Sequence, residues 1–114
     1  MKEGTIEYLI IHALEGGSNY WYFLPDLSMI KRKKELTLSE NIVSTVYEGV
    51  LIPVHDVETD EHLGFISKNN INNALKIMHD KYPHHYADVL TGNDDAITAD
   101  IFFQLLVLGE LVYG

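Results

Sequence analysis

The chain has 114 residues, 46% of them hydrophobic and 22% charged, with no cysteine and a formal net charge of −9. That length makes a single domain, 1–114, whose folding buries about 65% of the extended chain's surface, and the composition is that of a globular chain rather than a disordered one. Without cysteine there is no disulfide, no thiolate zinc site and no cysteine nucleophile.

Charge is unevenly spread. Four of the eight basic residues stand together as Lys31, Arg32, Lys33 and Lys34, so elsewhere four cations face all seventeen acids. Such a surface repels phosphate backbones and argues against duplex nucleic acid as a partner. The Lys-Arg-Lys-Lys run itself reads as a solvated loop. The N-terminal MKEGTIEYLIIHALEGG, with Glu7 and His12 inside its apolar run, does not have the h-region and cleavage site of a signal peptide. The longest apolar stretch, 101–111, is broken by Gln104, Gly109 and Glu110 and is too short to span a bilayer. The expectation is a soluble protein of the (host) cytoplasm with no membrane partner.

Along the chain, Ile6, Leu9, Ile10 and Ala13 recur at helical spacing after Thr5, a candidate N-cap. Tyr8, Ile10 and Ile11 are also good β-formers, but the Glu15-Gly16-Gly17 ending decides for a helix stopping at Gly16. The aromatic run 20–24, bounded by Ser18-Asn19 and Pro25, reads as a short strand. A polar and basic connector follows. Ser39 then offers an N-cap to a helix carrying Ile42, Val43, Val46 and Tyr47 on one stripe, closed by Gly49. Residues 50–57 are apolar and β-branched, with Pro53 placing them towards a sheet edge, and the acidic tip 58–61 turns them back into a strand 62–66. Ser67 caps a helix with Ile71, Ala74, Leu75 and Met78 in register, and Pro83 marks its end. A further helical turn or two near 86–90 stops at Gly92. Asn93, Asp94 and Asp95 then open a last helix that is apolar nearly all round, the signature of burial on most sides. The reading is α+β: a small antiparallel sheet, hairpin 50–66 plus a strand near 19–24, against four or five helices, with helix 95–108 central to the core.

Chemical motifs are sparse. Asp56, Glu58, Asp60 and Glu61 crowd one turn, where carboxylates are solvated charges rather than an acid–base pair. As a calcium loop the turn would need glycine at its sixth position and glutamate at its twelfth, where Glu61 and Ser67 stand. Six histidines, His12, His55, His62, His79, His84 and His85, show no dedicated metal spacing, so no metal and no cofactor is expected. No nucleophile elbow, phosphate loop or dinucleotide fingerprint is present. Gln104 is more informative, because it interrupts the most apolar helix and its amide needs partners. A backbone group or Asn19 would satisfy it; otherwise it faces a pocket. In EGGSNYWYFLPD, two glycines permit positive φ or close approach, and strand alternation separates Tyr20, Tyr22 and Leu24 from Trp21 and Phe23. The plainer reading is a helix cap feeding a core strand; the functional one is an aromatic plate beside exposed N–H groups.

Two stretches, EGGSNYW and the terminal NDDAITADIFFQLLVLGELVYG, together resemble a family of small phage and prophage proteins. There a Glu-Gly-Gly-x-x-Tyr-Trp stretch precedes a C-terminal segment with Asp, Gln and a closing Gly-Glu-hydrophobic-Val-Tyr/Phe-Gly. The matching residues are Glu15, Gly16, Gly17, Tyr20 and Trp21, then Asp100, Gln104, Gly109, Glu110, Val112 and Gly114, about a third of the chain. The resemblance transfers no activity. It implies a phage accessory setting and two ends that meet in space.

The function expected is therefore a non-catalytic phage or prophage accessory protein acting on a host process, in counter-defence by sequestering a small ligand or by inhibiting a host protein. Its candidate ligand-binding residues are Glu15, Gly16, Gly17, Asn19, Tyr20, Trp21, Asp100 and Gln104. A nucleotide ligand would require Arg32 or Lys33 nearby. Two alternatives stand beside it: a small hydrolase or lyase using Glu15 or Asp100 as base with a histidine, and a virion or assembly component working as a homo-oligomer.

Overall fold

The computed structural model, which describes residues 1–2 and 4–114, runs α1 (Thr5–His12), β1 (Tyr22–Phe23), α2 (Leu38–Tyr47), β2 (Ile52–Asp56), β3 (His62–Ile66), α3 (Ile71–Lys81), α4 (Pro83–Thr91) and α5 (Ala96–Leu108). The strands form one antiparallel sheet in the order β1-β2-β3, and the architecture is α+β as the sequence predicts.

The core is organised by α5. Every residue from Thr98 to Val107 is buried, with α1, α3 and β3 packed around the helix. Asp95 caps its first turn by accepting from the Thr98 N–H at 2.9 Å, and Gly109, at φ 78°, ends it. Two glycines let the neighbours come close. A Cβ on Gly64 of β3 would lie 2.6 Å from the Val107 carbonyl oxygen, and one on Gly17 would lie 2.7 Å from that of Ala96. The last helix thus touches bare backbone near both of its ends.

Several local expectations are corrected. The N-cap of α1 is Gly4 rather than Thr5, and α1 does not stop at Gly16. It widens into a π-helical turn, Ala13–Gly17, closed by the Ser18 N–H on the Ala13 carbonyl at 3.0 Å. Positive φ is found at Gly4, Gly49, Gly92 and Gly109 but not at Gly16 or Gly17, so close approach to α5 is what Gly17 supplies. The aromatic strand shrinks to Tyr22–Phe23, because the backbone N–H groups of Trp21 and Tyr22 turn back onto the Ser18 carbonyl. Thr37, not Ser39, caps α2: Thr37 and Glu40 form a reciprocal capping box, which only a spacing of three residues allows. Pro53 lies in the central strand rather than at an edge. It is tolerated because β1 pairs only with His55 and Asp56 and ends before it. Pro83 ends α3 and also opens α4 at the first-turn position suited to proline.

The hairpin and the Gly92 stop stand as predicted. Ser67 caps a short 3-10 turn, Lys68–Asn70, that leads into α3, whose own N-cap is Asn70. Lys31 to Lys34 are exposed, while the buried Asn41 side chain accepts from the Lys33 N–H and donates to the Lys33 carbonyl beneath them. Among the described residues no helix is long and apolar enough to cross a membrane.

Gly17 and Gly16 form an internal control. Gly17→Ala must push Ala96 aside and is expected to destabilise by about 1–3 kcal/mol. Gly16→Ala meets nothing within 4 Å and is expected to change stability by less than about 0.5 kcal/mol. Urea denaturation of the two variants checks this.

Candidate functional site

The sequence between α1 and β1 and the sequence of α5 meet at one carboxylate. Asp100, 8% exposed, accepts four hydrogen bonds: from Ser18 Oγ (2.6 Å) and Trp21 Nε1 (2.8 Å) on Oδ1, and from the Tyr20 hydroxyl (2.5 Å) and Gln104 Nε2 (3.1 Å) on Oδ2. The π-helical turn makes this possible, since it delivers Ser18, Tyr20 and Trp21 one after another to the same face of α5. Gln104, one helical turn further on, satisfies the C-terminal tail. Its Oε1 accepts from the N–H groups of Val112 (2.9 Å) and Tyr113 (3.0 Å), and its Nε2 donates to the Tyr113 carbonyl (3.0 Å). The side-chain amide thus pairs with the tail as a neighbouring peptide would. No buried side-chain nitrogen or oxygen among the described residues lacks a partner.

Aromatic rings close the arrangement. Trp21, 1% exposed, stacks on Tyr113 at 5.0 Å and 9°, and leans on Phe103 at 5.6 Å. The Tyr113 hydroxyl donates to Asp56 Oδ2 at 2.7 Å, which ties the tail to the hairpin. That bond, with the N–H groups of Thr59 and Glu58, holds the Asp56 carboxyl below the usual carboxylate range. Loss of water pushes the Tyr20 phenol up to about 12, helped by its bond to Asp100 and by the charge there. Tyr113 rises to about 12 by desolvation and its bond to Asp56.

A cleft of about 540 Å³ opens above Asp100, lined by Gly16, Gly17 and Tyr20 on one side, Ala96, Ile97 and Ile101 on another, and Leu111, Tyr113 and Gly114 across from them, with Asp100 and Gln104 also lining it. It has the size of a small-ligand site, apolar walls and few polar groups. A smaller hollow of about 290 Å³ shares Tyr20, Tyr113 and Gly114 with it and adds Trp21, Asp56, Val57 and Glu58. Among the described residues no lysine, arginine or histidine lines either one.

Five of the eight residues singled out from the sequence, Gly16, Gly17, Tyr20, Asp100 and Gln104, line that cleft. The other three go elsewhere. Trp21 is core, with its ring covered by Tyr113 and Phe103. Glu15 lines a separate groove between α1 and α4, with Tyr8, His12 and Leu90. Asn19 borders a third hollow beside α2 and is not the partner of Gln104. Ala96, Ile97, Ile101, Leu111, Tyr113 and Gly114 complete the cleft, and of these only the closing Val-Tyr-Gly carries a hint in the sequence.

The histidines are dispersed. His55 and His62 pair across the hairpin, but His55 Nδ1 is engaged by Asp60 at 2.9 Å. His85 Nδ1 bonds Thr98 Oγ1 at 2.9 Å. Among the described residues no three metal-ligating side chains are placed together.

Comparison with protein-family models, with curated proteins and with solved structures finds no match to the chain.

Two outcomes follow from the hydrogen bonding. Asp100→Ala strands the buried Ser18 hydroxyl and Trp21 indole donors at once, and is expected to cost more than about 3 kcal/mol in urea denaturation. Tyr20, Tyr22, Tyr47 and Tyr113 all ionise near 12 in the folded chain, against about 10 when unfolded. The unfolded chain therefore loses those protons first. Their contribution is complete below pH 10 and is lost as the pH rises towards 12. Denaturation midpoints should fall between roughly pH 9 and pH 11, about one pH unit either side of the unfolded value, with phenolate absorbance reporting the delayed ionisation.

Proposed function

We propose that the chain is a non-catalytic binding protein whose ligand occupies the cleft above Asp100. The observation that carries this reading is the cleft itself: a preformed space of about 540 Å³ with apolar walls and a polar floor already complete in its internal hydrogen bonds. A floor of that kind is rigid and preorganised for binding. It is poorly suited to proton transfer, because all four acceptor positions of Asp100 are occupied. Glu15, the other base weighed from the sequence, lines a different groove. Absence of a cationic side chain around the cleft also disfavours a phosphate-bearing ligand, since Arg32 and Lys33 lie outside it. The resemblance to small phage proteins supports an accessory setting, in which binding a small molecule or a host protein interferes with a host process.

The test is native mass spectrometry of untagged protein purified without denaturant, beside Tyr20→Ala and Ile97→Arg. Both positions are more than half exposed, at 51% and 64%, so the fold is expected to persist. The wild type should carry a non-covalent partner, chemically unaltered on incubation, which both variants lose and Glu15→Gln retains. Equal retention by both variants, or turnover abolished by Glu15→Gln, contradicts the reading.

A further inference from the structure

We infer that the group bound in this cleft is an organic cation, an alkylammonium or guanidinium, held by the Asp100 charge between the rings of Tyr20 and Tyr113. The inference rests on the cleft being a binding site and specifies what it takes.

Asp100 is more than nine-tenths buried, and among the described residues no cation pairs with it. Its four partners, Ser18, Tyr20, Trp21 and Gln104, are all neutral donors. The Lys31–Glu48 ion pair and the His55–Asp60 and His79–Asp80 contacts lie elsewhere. Neutral donors spread a carboxylate's charge without cancelling it, so the floor of the cleft keeps a negative potential. The walls strengthen the effect. Tyr20 and Tyr113 line the cleft, and aromatic faces attract cations. The adjoining hollow shares both tyrosines and adds the carboxylates of Asp56 and Glu58, again with no cationic side chain. An anionic ligand would meet like charge throughout, and a neutral one would leave the potential unused.

The geometry also limits how the cation is held. A carboxylate has about four lone-pair positions, and here all are filled. The ligand is therefore held by charge at short range and by aromatic contact, not by a fifth directional bond. Selectivity should follow charge and size, with ammonium and guanidinium groups both accepted. The cation can come from a free amine or from a lysine or arginine side chain of a partner protein. In the second case neighbouring basic residues would run over Asp56 and Glu58 at the hairpin.

The experiment is a titration of the full ¹⁵N-labelled chain, followed through the Gly16, Gly17 and Gly114 amides and the Trp21 indole. Four probes are used: N-acetyl-arginine methylamide, its neutral citrulline isostere, spermidine and adenosine monophosphate. The arginine probe should saturate those signals at least about tenfold more tightly than citrulline, an effect of the size charge and cation–π contact supply. Tyr20→Leu should weaken it about fivefold or more, and Asp100→Asn should bring arginine and citrulline together. Should Asp100→Asn fail to fold, Glu58→Gln, at an exposed position, should still weaken spermidine. Spermidine tighter than the arginine probe supports a free amine as the source; the reverse order supports a partner's side chain. Citrulline or adenosine monophosphate binding as tightly at the same signals overturns the cationic class and leaves the cleft as a site. Signals unmoved by every probe overturn both.

Discussion

The structure depends on one buried carboxylate that finds its partners about eighty residues away in sequence. Asp100 draws Ser18, Tyr20 and Trp21 onto the central helix, and each of those contacts spans 79 residues or more. Burying a carboxylate without a cation is costly, and four donors are what make it tolerable here. The cost also gives the contact its specificity. Three of the four donors come from the N-terminal turn, so shifting the turn along α5 would leave the carboxylate short of partners.

That constraint explains features that look unrelated. The π-helical turn widens the backbone just before Ser18, which lets three donors within four residues converge. Glycine suits position 17 because a Cβ there would lie 2.7 Å from the Ala96 carbonyl oxygen. Gln104 extends the pattern along α5 and fixes the tail, and Tyr113 then carries the tail to Trp21 and Asp56. The cleft is what remains between these pieces. Its floor is polar because the contact is polar, and its walls are apolar because α5 and the tail are.

Much of this was legible in the sequence. Helix α5 could be read from its all-round apolar pattern, and the hairpin from β-branched runs about an acidic tip. The interruption of that pattern at Gln104 marked an amide in need of partners, and the backbone of the tail supplies them. What escaped has physical reasons. Thr37 and Ser39 are equally good caps in composition, and only the reciprocal bond with Glu40 separates them. Strand alternation over 20–24 fails because the turn at Ser18 consumes Tyr20 and Trp21 before pairing begins. Glu15 and Asn19 stand within four residues of each other and of the cleft, yet the wide turn directs them to separate surfaces. Proximity in sequence does not predict a shared site across a change of helix type. Tyr113 joins the site through the tail's return, which no local pattern announces.

Hydrogen exchange of the Trp21 indole N–H tests the central claim most directly, and Trp21 is the single tryptophan, so its signal is unambiguous. If the Asp100 contact holds the fold together, that proton exchanges only when the whole chain unfolds. Its opening free energy then equals the global stability measured by denaturation. Exchange faster than global unfolding by more than about two orders of magnitude, through a local opening that leaves α5 intact, would contradict the account.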